Sequence, residues 1–452
     1  MTQVLKVDES GSRGQRAVWD SWEMFAMIIR SDSRGGHPTV AAILQWNLGL
    51  APPLVQEKYR RMRADLFAFF RGTNHLFAAD WVSLQPSNPG PSIWICGDLH
   101  PKNFGCFRSD DGATVFDIND FDEAILAPCS VDLVRCATGI ILGGEIWGHS
   151  PVRVMRLVLA YLDGYRAAIG AMTRSMAGDG DGTGASPTPS VVLAMKAAGK
   201  TPISELIVVS HAKTQAHLLD RLTEVDPNGE RTLKRSGRFA DVALGESKPL
   251  IEAVQAYGRS RGEPATFQVI DFASRLAGIG SLGIRRYVAL VAGDGLISGH
   301  RVFDIKEGTE PSFREFAGPE GLLTGGSIAQ ARRIVSVQRM IQEKPTAGLD
   351  VLEVNDIGYR LRELIPVENR ARLDEFRQET AKLRRGLDHA GWITAHAHLR
   401  GSVVGQEDRA GALAHWVDGS AFDAVLAAAV RFADRNRSHY KAFRKAKLAN
   451  PA

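Results

Sequence analysis

The sequence predicts an α+β fold with two lobes, and three observations lead to that class. The chain has 452 residues, which is long for a single hydrophobic core and favours two or three compact units. Apolar residues recur at three- and four-residue steps towards both ends, as they do along amphipathic helices. Short apolar runs bounded by glycine, proline and aspartate lie between them and are typical of strands.

The first half of the chain predicts helices followed by two short strands. Residues 15–80 carry the helical spacing, and the run PSNPGP then breaks the chain before a buried strand, SIWIC (92–96). A second strand, ATVFDIND (113–120), follows a turn-prone SDDG. Residues 153–172 predict a strong amphipathic helix, and the Gly-, Asp-, Ser- and Pro-rich residues 177–190 predict a mobile loop or linker.

The second half of the chain changes periodicity twice. A mainly helical stretch reaches about residue 260, after which RRYVALVAG (285–293) and HRVFDIKEG (300–308) alternate like two strands joined at a GDG turn. YRLREL (359–364) is a further candidate strand, and residues 368–447 look helical again. These changes predict four parts: a helical N-terminal segment (1–92), a mainly helical catalytic-loop and metal-binding lobe (93–265), a glycine-loop β lobe (266–366) and a helical C-terminal segment (367–452).

Composition and charge exclude several classes of protein. The hydrophobic fraction of 44% and the net charge of +4 are ordinary for a globular protein of this size, so we expect neither a nucleic-acid nor a membrane partner. No apolar run is long enough to span a bilayer, and the first residues lack the layout of a signal peptide, which favours a cytoplasmic protein. The four cysteines lack the spacing of a zinc site and are expected to be free, buried thiols.

The stretch WICGDLHPKNFG (93–104) places an acid, an imidazole and an amide close together after a strand. Phosphoryl transfer needs a carboxylate that orients the attacking hydroxyl and oxygen ligands for magnesium. Asp98 and Asn103 supply a candidate base and a candidate metal ligand, and Asp120 follows at the end of the next strand. Asp117 and Asp122 flank Asp120 and are alternative ligands. Each motif alone also suits a capped turn or an acidic loop, but their order and spacing favour a phosphotransferase site.

GDLHPKN, followed by a strand and NDFDEA, resembles the catalytic loop and metal-binding motif of the protein-kinase-like superfamily, in particular its aminoglycoside- and choline-kinase branch. The resemblance implies that Asp98 is the catalytic base, that Asn103 and Asp120 bind magnesium, and that Asp132 is a later structural acid. His100 matches the small-molecule kinases of that branch, which implies a small-molecule acceptor. Asp122 is kept as a candidate substrate or support residue.

A kinase also needs a glycine-rich hairpin over the nucleotide phosphates and a lysine on a following strand. Gly278, Gly280 and Gly283 form a GxGxxG pattern, in which glycine lets backbone amides approach an anion closely. A dinucleotide-binding turn shares the pattern but lies between a strand and a helix, whereas strand-like runs follow here. Lys306, on the second of these runs, is the candidate point charge for the phosphates. Its acidic partner is left open among Glu307, Glu315 and Glu343.

Two other stretches carry side chains that suit a substrate site. Arg71 in FFRGTNH (69–75) could bind a phosphate or an acidic group bidentately, or lie on the surface beside a helix end at Gly72. His396 and His398 are two positions apart and therefore face different sides of a helix. A shared metal site is thus not expected, and one of the two is a candidate cleft residue.

The catalytic motif precedes the glycine loop, which reverses the usual kinase order and predicts a circularly permuted kinase-like fold. FAFFRGTNH, GDLHPKNFG, NDFDE, GIGSLG and the strand lysine, in this order, resemble the bacterial domain-of-unknown-function family 2252 across residues 60–445. Cys96 departs from the kinase pattern, which usually has a histidine there to support the loop backbone.

The kinase resemblance implies ATP and magnesium as cofactors and leaves the reaction open between three functions. The first is phosphotransfer to a hydroxyl or amino group of a small molecule. The second is silent nucleotide binding that regulates a protein partner. The third is nucleotidyl transfer onto protein.

Overall fold

The structure is a mixed α+β fold. The computed structural model describes residues 37–176, 201–212, 215–225, 227–293, 299–316, 325–364, 373–404 and 407–446. The predicted loop at 177–190 and the first part of the predicted helical segment lie outside these residues. No helix in the described ranges is long and apolar enough to cross a membrane.

The helices fall into an earlier and a later set. The earlier set comprises α1 (Pro38–Trp46), α2 (Pro52–Ala64), α3 (Leu66–Gly72), α4 (Asn74–Leu84), α5 (Ser130–Ile146), α6 (Pro151–Met176), α7 (Pro202–Ala212), α8 (Gln215–Leu222) and α9 (Leu244–Ser260). The later set comprises α10 (Ser327–Ile341), α11 (Thr380–Arg400), α12 (Ala410–Asp418) and α13 (Ala424–Lys445). Helix α6 is the amphipathic helix that the sequence predicts.

One antiparallel sheet dominates the β structure. Its strands are β7 (Phe239–Ala240), β8 (Val269–Arg275), β9 (Arg286–Val291), β10 (Arg301–Glu307), β11 (Asp350–Val354) and β12 (Ile357–Glu363). They lie in the order β11-β12-β10-β9-β8-β7. The three strands predicted after residue 284 are thereby confirmed as β9, β10 and β12. The register places Lys306 of β10 opposite Arg286 on one neighbour and Arg360 on the other.

Short strand pairs surround this sheet and the catalytic-loop motif. They are β1 (Ser92–Ile95) with β4 (Ile125–Pro128), β2 (Phe104–Arg108) with β3 (Thr114–Ile118), β5 (Thr223–Val225) with β6 (Arg231–Leu233), and β13 (Val403–Val404) with β14 (Glu407–Asp408). Strands β1 and β3 are the two strands that the sequence predicts around GDLHPKN. The short pair β5 and β6 interrupts the stretch predicted as mainly helical.

Separate hydrophobic cores divide the molecule into a helical region and a sheet region. The helical region is built on α4–α6 and α11–α13 around one large core, and it also contains all four cysteines, which are free and buried as predicted. The sheet region has a core on each face of the large sheet. Helix α9 and strand β7 pack with this sheet although they precede residue 266, and the C-terminal helices return to the helical region.

Helices α6 and α11 cross at backbone contact in the helical core. A Cβ atom at Gly164 would lie 2.2 Å from the carbonyl oxygen of Asp388, and one at Gly391 would lie 2.1 Å from that of Tyr161. Only glycine fits at both positions, because any side chain would force the helices apart. This contact fixes α11, which carries His398 towards the catalytic-loop motif.

Candidate functional site

A polar cleft lies where the helical region meets the sheet region. Nine of the ten site residues predicted from the sequence line it: Arg71, Asp98, His100, Asn103, Asp120, Asp122, Gly278, Gly280 and Lys306. The tenth, Gly283, lies outside the lining, and its α-carbon faces Leu50 in the connection between α1 and α2. Motifs that are nearly 200 residues apart in the sequence therefore share one cleft.

The loop after β1 is held by backbone hydrogen bonds to a buried carboxylate. The amide nitrogens of Cys96 and Gly97 each donate to Asp132 over 2.8 Å. Gly97 has a φ of +81°, and a Cβ atom there would lie 2.0 Å from the carbonyl oxygen of Glu123, so the turn requires glycine. Asn103 Nδ2 donates to the carbonyl oxygen of Asp98 over 2.6 Å. The loop thus presents Asp98 and Asn103 to the cleft from a fixed backbone.

A buried arginine holds the carboxylate of Asp98. Arg135 Nε lies 2.8 Å from Asp98 Oδ1, and Arg135 Nη2 donates to the carbonyl oxygen of Phe70. The guanidinium group also lies 3.6 Å from the centroid of the Phe70 ring. Burial raises the pKa of Asp98 to about 7 even though Arg135 opposes the shift. A carboxylate with a pKa near neutrality is suited to take a proton from an acceptor.

The glycine loop forms the opposite wall and is held by α2. It joins β8 to β9, which are antiparallel neighbours. A strand follows the glycines, as the sequence predicts, and the strand β8, which the sequence did not predict, precedes them. Lys58 Nζ donates to the carbonyl oxygen of Gly280 over 3.1 Å, and Arg61 Nη1 donates to that of Gly278 over 3.2 Å. Lys58 is buried, and burial lowers its pKa to about 8. Two cations of one helix therefore position the loop over the cleft.

Lys306 pairs with Asp122 rather than with a glutamate. Its ammonium group contacts Asp122 Oδ2, and Arg360 Nη1 lies 3.0 Å from Asp122 Oδ1. Burial acts to raise the pKa of Asp122, but Lys306 and Arg360 outweigh it and hold that pKa below its usual range. Of the three glutamates considered from the sequence, Glu307 pairs with the exposed Arg285 instead.

The acidic loop between β3 and β4 ties the helical region to the sheet region. Arg333 of α10 donates to the carbonyl oxygens of Asp122 and Thr309, and Arg362 of β12 donates to that of Asn119 over 2.7 Å. Ser312 donates its amide and its hydroxyl to Glu123. The position of Asp120 and Asp122 thus depends on contacts from both regions.

Burial lowers the pKa of two imidazoles that line the cleft, those of His100 and His75. Arg71 Nε donates to His100 Nε2 over 3.3 Å. Burial, reinforced by the charges of Arg71 and Arg135, lowers the pKa of His100 well below its usual value. His75 also lines the cleft and stacks on Trp46 with ring centroids 4.8 Å apart. Its pKa is lowered in the same way, with burial as the main cause.

The two histidines of α11 lie elsewhere. Among the described residues the cleft lining includes neither His396 nor His398. His398 Nε2 lies 3.5 Å from Asp132 Oδ2, and its Nδ1 lies 2.9 Å from the hydroxyl of Tyr165. His398 therefore lies beside the carboxylate that holds the backbone of the loop after β1.

The cleft offers a magnesium ion two oxygen ligands. Asn103 and Asp120 both line it, and because Asn103 Nδ2 is used by the loop, the amide oxygen is the atom left for a cation. The described residues contain no group of three or more His, Cys, Asp and Glu residues that could hold a metal. Magnesium usually takes one or two protein ligands and completes its shell with water and phosphate oxygens, and this donor set fits that pattern.

The cleft is narrow. Its volume is about 100 Å³, whereas sites for small organic ligands usually enclose roughly 300–1,000 Å³. A phosphate group with its cation suits this space, whereas a complete nucleotide is larger than it.

Several cations that shape the site were not predicted from the sequence, among them Arg135, Lys58 and Arg360. Arg135 lies three positions after Asp132 on α5, one helical turn away, which is one local signal for it. Lys58 and Arg360 have no such signal, because their partners are far away in the sequence. Arg135 has mostly apolar neighbours in VDLVRCA. Such a setting indicates a buried charged residue that needs a partner.

The comparisons with known proteins give a family and no relative of known function. Residues 50–446 match the family DUF2252, described as an uncharacterized protein conserved in bacteria. No curated protein and no solved structure matches the chain.

Proposed function

Since the chain belongs to the bacterial DUF2252 family, whose description names no reaction, we propose a function from the cleft itself. The protein is an ATP- and magnesium-dependent phosphotransferase that acts on a hydroxyl or amino group of a small-molecule acceptor. The observation that carries the proposal is the meeting of Asp98, Asn103 and Asp120 with Gly280 and Lys306 around one cleft.

The order of elements in the sheet region supports a two-lobed, kinase-like fold. Protein kinases cover the phosphates with a glycine-rich loop between strands and place a lysine on the third strand, before a helix. Here the glycine loop joins β8 to β9, the lysine lies on β10, and α10 is the next long helix. The catalytic-loop motif precedes all of these elements, so the proposed fold is circularly permuted.

The proposed roles follow the chemistry of each side chain. Asp98 orients the acceptor and takes its proton, and Arg135 fixes the orientation of that carboxylate. Asn103 and Asp120 hold magnesium, which supplies charge neutralisation at the phosphate oxygens. Lys306 binds phosphate as a point charge, and the amides of the glycine loop face the same anion.

One observation favours a second candidate, a nucleotide-binding module without catalysis that regulates a protein partner. Helix α10 has no acidic residue in its sequence, so it cannot supply the Lys–Glu ion pair that active protein kinases form between the third strand and the following helix. Lys306 uses Asp122 instead. Nucleotidyl transfer onto protein is a third candidate and would move the label of α-labelled rather than γ-labelled ATP.

We expect ATP with magnesium to raise the midpoint of thermal unfolding of the wild-type protein. A ligand at a hundredfold excess over its Kd stabilises the folded state by about 2.7 kcal/mol. The increase should disappear in Asp120→Ala and in Lys306→Met, which remove the proposed metal ligand and the proposed phosphate ligand from opposite walls. The change on ligand addition is compared within each variant, because Lys306→Met also breaks a buried ion pair.

A matched control and a transfer assay complete this test. Lys344→Met removes an exposed lysine that pairs with Asp111 away from the cleft, and it should keep the full ligand-induced increase. Transfer of γ-label to an acceptor pool then separates the phosphotransferase from the silent module. Absence of any ATP-induced increase in the wild type at millimolar nucleotide would reject all three nucleotide-based functions.

A further inference from the structure

We infer that Arg360 and Lys306 form a binding site for a phosphate chain, and that Asp122 occupies this site until the phosphate chain displaces it. The inference rests on the proposed function in one respect: it takes the phosphate chain to be that of a nucleoside triphosphate. The site itself is argued from the charges on the inner face of the sheet.

A row of cations crosses the sheet next to the cleft. Lys306 of β10 lies opposite Arg286 of β9 and opposite Arg360 of β12, so three positive side chains occupy neighbouring positions on one face. Directly opposed like charges destabilise a sheet. Arg360 and Lys306 are 1% and 3% exposed, so water does little to screen this repulsion, and the row needs buried anions.

Two carboxylates form ion pairs with this row of cations, and they differ in exposure to the cleft. Asp304 is completely buried and accepts hydrogen bonds from Arg275, Arg286 and Arg360. Its surroundings hold it in place, and it does not border the cleft. Asp122 contacts Lys306 and Arg360 but is 18% exposed and lines the cleft. Asp122 is therefore the carboxylate that a ligand from the cleft can replace.

The balance of charge favours an incoming polyanion. Three buried cations, Arg286, Lys306 and Arg360, share the carboxylates of Asp304 and Asp122. A further carboxylate, Asp120, acts on both Lys306 and Arg286, and a bound magnesium ion would neutralise it. Buried charge without a counter-charge is costly. A phosphate chain supplies the missing negative charge.

Arg360 also has donor capacity that Asp122 does not use. Its Nε is buried and has no hydrogen-bond acceptor among the described residues, while its Nη1 and Nη2 bind Asp122 and Asp304. A guanidinium group binds phosphate oxygens bidentately. Phosphate oxygens in the place of the Asp122 carboxylate accept hydrogen bonds from both Lys306 and Arg360. The released Asp122 stays at the edge of the cleft.

Inorganic tripolyphosphate tests the inference without a nucleoside. Its Kd is measured by calorimetry, without magnesium, for the wild type, Asp122→Asn and Arg360→Lys. We expect Asp122→Asn to bind at least tenfold more tightly, because the competing carboxylate is gone. Arg360→Lys should bind at least tenfold more weakly, because the planar donor pair is lost. The two variants shift affinity in opposite directions, which loss of folding alone does not produce.

The control is Asp241→Asn, which makes the same change of charge in an exposed ion pair of the sheet region. Equal gains for Asp122→Asn and Asp241→Asn would show a general charge effect and overturn the inference. Weaker binding by Asp122→Asn would overturn it as well.

ATP and adenosine are measured in parallel. Tighter binding of ATP than of tripolyphosphate, with no response to adenosine alone, identifies a nucleotide as the source of the phosphate chain. If the two variants change the affinity for tripolyphosphate as predicted but no γ-label is transferred, the phosphate-binding site is supported and the phosphotransferase function is rejected.

Discussion

Asp98→Asn is expected to reduce the rate of phosphoryl transfer by a factor of about 10²–10⁴, the usual contribution of a positioned general base. Asparagine keeps an oxygen that accepts the hydrogen bond from Arg135 Nε, so the buried guanidinium group retains a partner. The variant therefore removes the proton acceptor with little change in the loop. The measurement is kcat for transfer of γ-label, together with the Kd of ATP and magnesium, which should change by less than about threefold.

The pH dependence of the wild type gives a second readout of the same carboxylate. The groups acting on Asp98 are Arg135, which favours the charged form, and Glu123 and Asp120, which oppose it as burial does. With a pKa of about 7, the active, ionised form is lost as pH falls, so the rate should decrease about tenfold per unit below pH 7. Asp111→Asn, in an exposed turn, should leave both rate and profile unchanged. An Asp98→Asn variant with more than a tenth of wild-type turnover would remove Asp98 from its assigned role.

Asp132→Ala is expected to lower the free energy of unfolding by about 3–5 kcal/mol. The carboxylate is 1% exposed and accepts the amides of Cys96 and Gly97. Removing it leaves two buried donors without an acceptor, each costing about 1–3 kcal/mol or more. Urea-induced unfolding, followed by tryptophan fluorescence, measures the change.

The matched variant is Asp423→Ala, which removes an exposed carboxylate from an ion pair with Arg166. Exposed pairs contribute about 0–1 kcal/mol, so this variant should unfold close to the wild type. If Asp132→Ala also unfolds within about 1 kcal/mol of the wild type, the catalytic-loop backbone does not depend on this carboxylate.

Local patterns in the sequence predicted much of the fold. The alternation in RYVALV and VFDIK gave β9 and β10 and placed Lys306 on the second of them. The three- and four-residue spacing gave α6. These features depend on neighbours in the chain and on which face is apolar, and a single sequence contains that information.

The contacts that complete the site could not be predicted in this way. The sequence leaves the partner of Lys306 open among Glu307, Glu315 and Glu343, yet Lys306 pairs with Asp122, which is 184 positions earlier. Lys58 reaches Gly280 across 222 positions. No periodicity links such residues, because they meet only when the sheet region packs on the helical region. The start of the β lobe, predicted at residue 266, depends on such a contact as well. Strand β7 precedes that residue, yet it joins the sheet by pairing with β8.

The contacts between α2 and the glycine loop limit the speed of ligand exchange. Lys58 and Arg61 bind two carbonyls of the loop, and Met62 of the same helix packs against Gly72, beside Ile279. The loop is therefore tied to a packed helix, and we expect it to open together with α2 rather than by itself. Collective helix movements take microseconds to milliseconds, whereas free loops move in nanoseconds to microseconds. Entry and release of a ligand should accordingly follow the slower of these two motions.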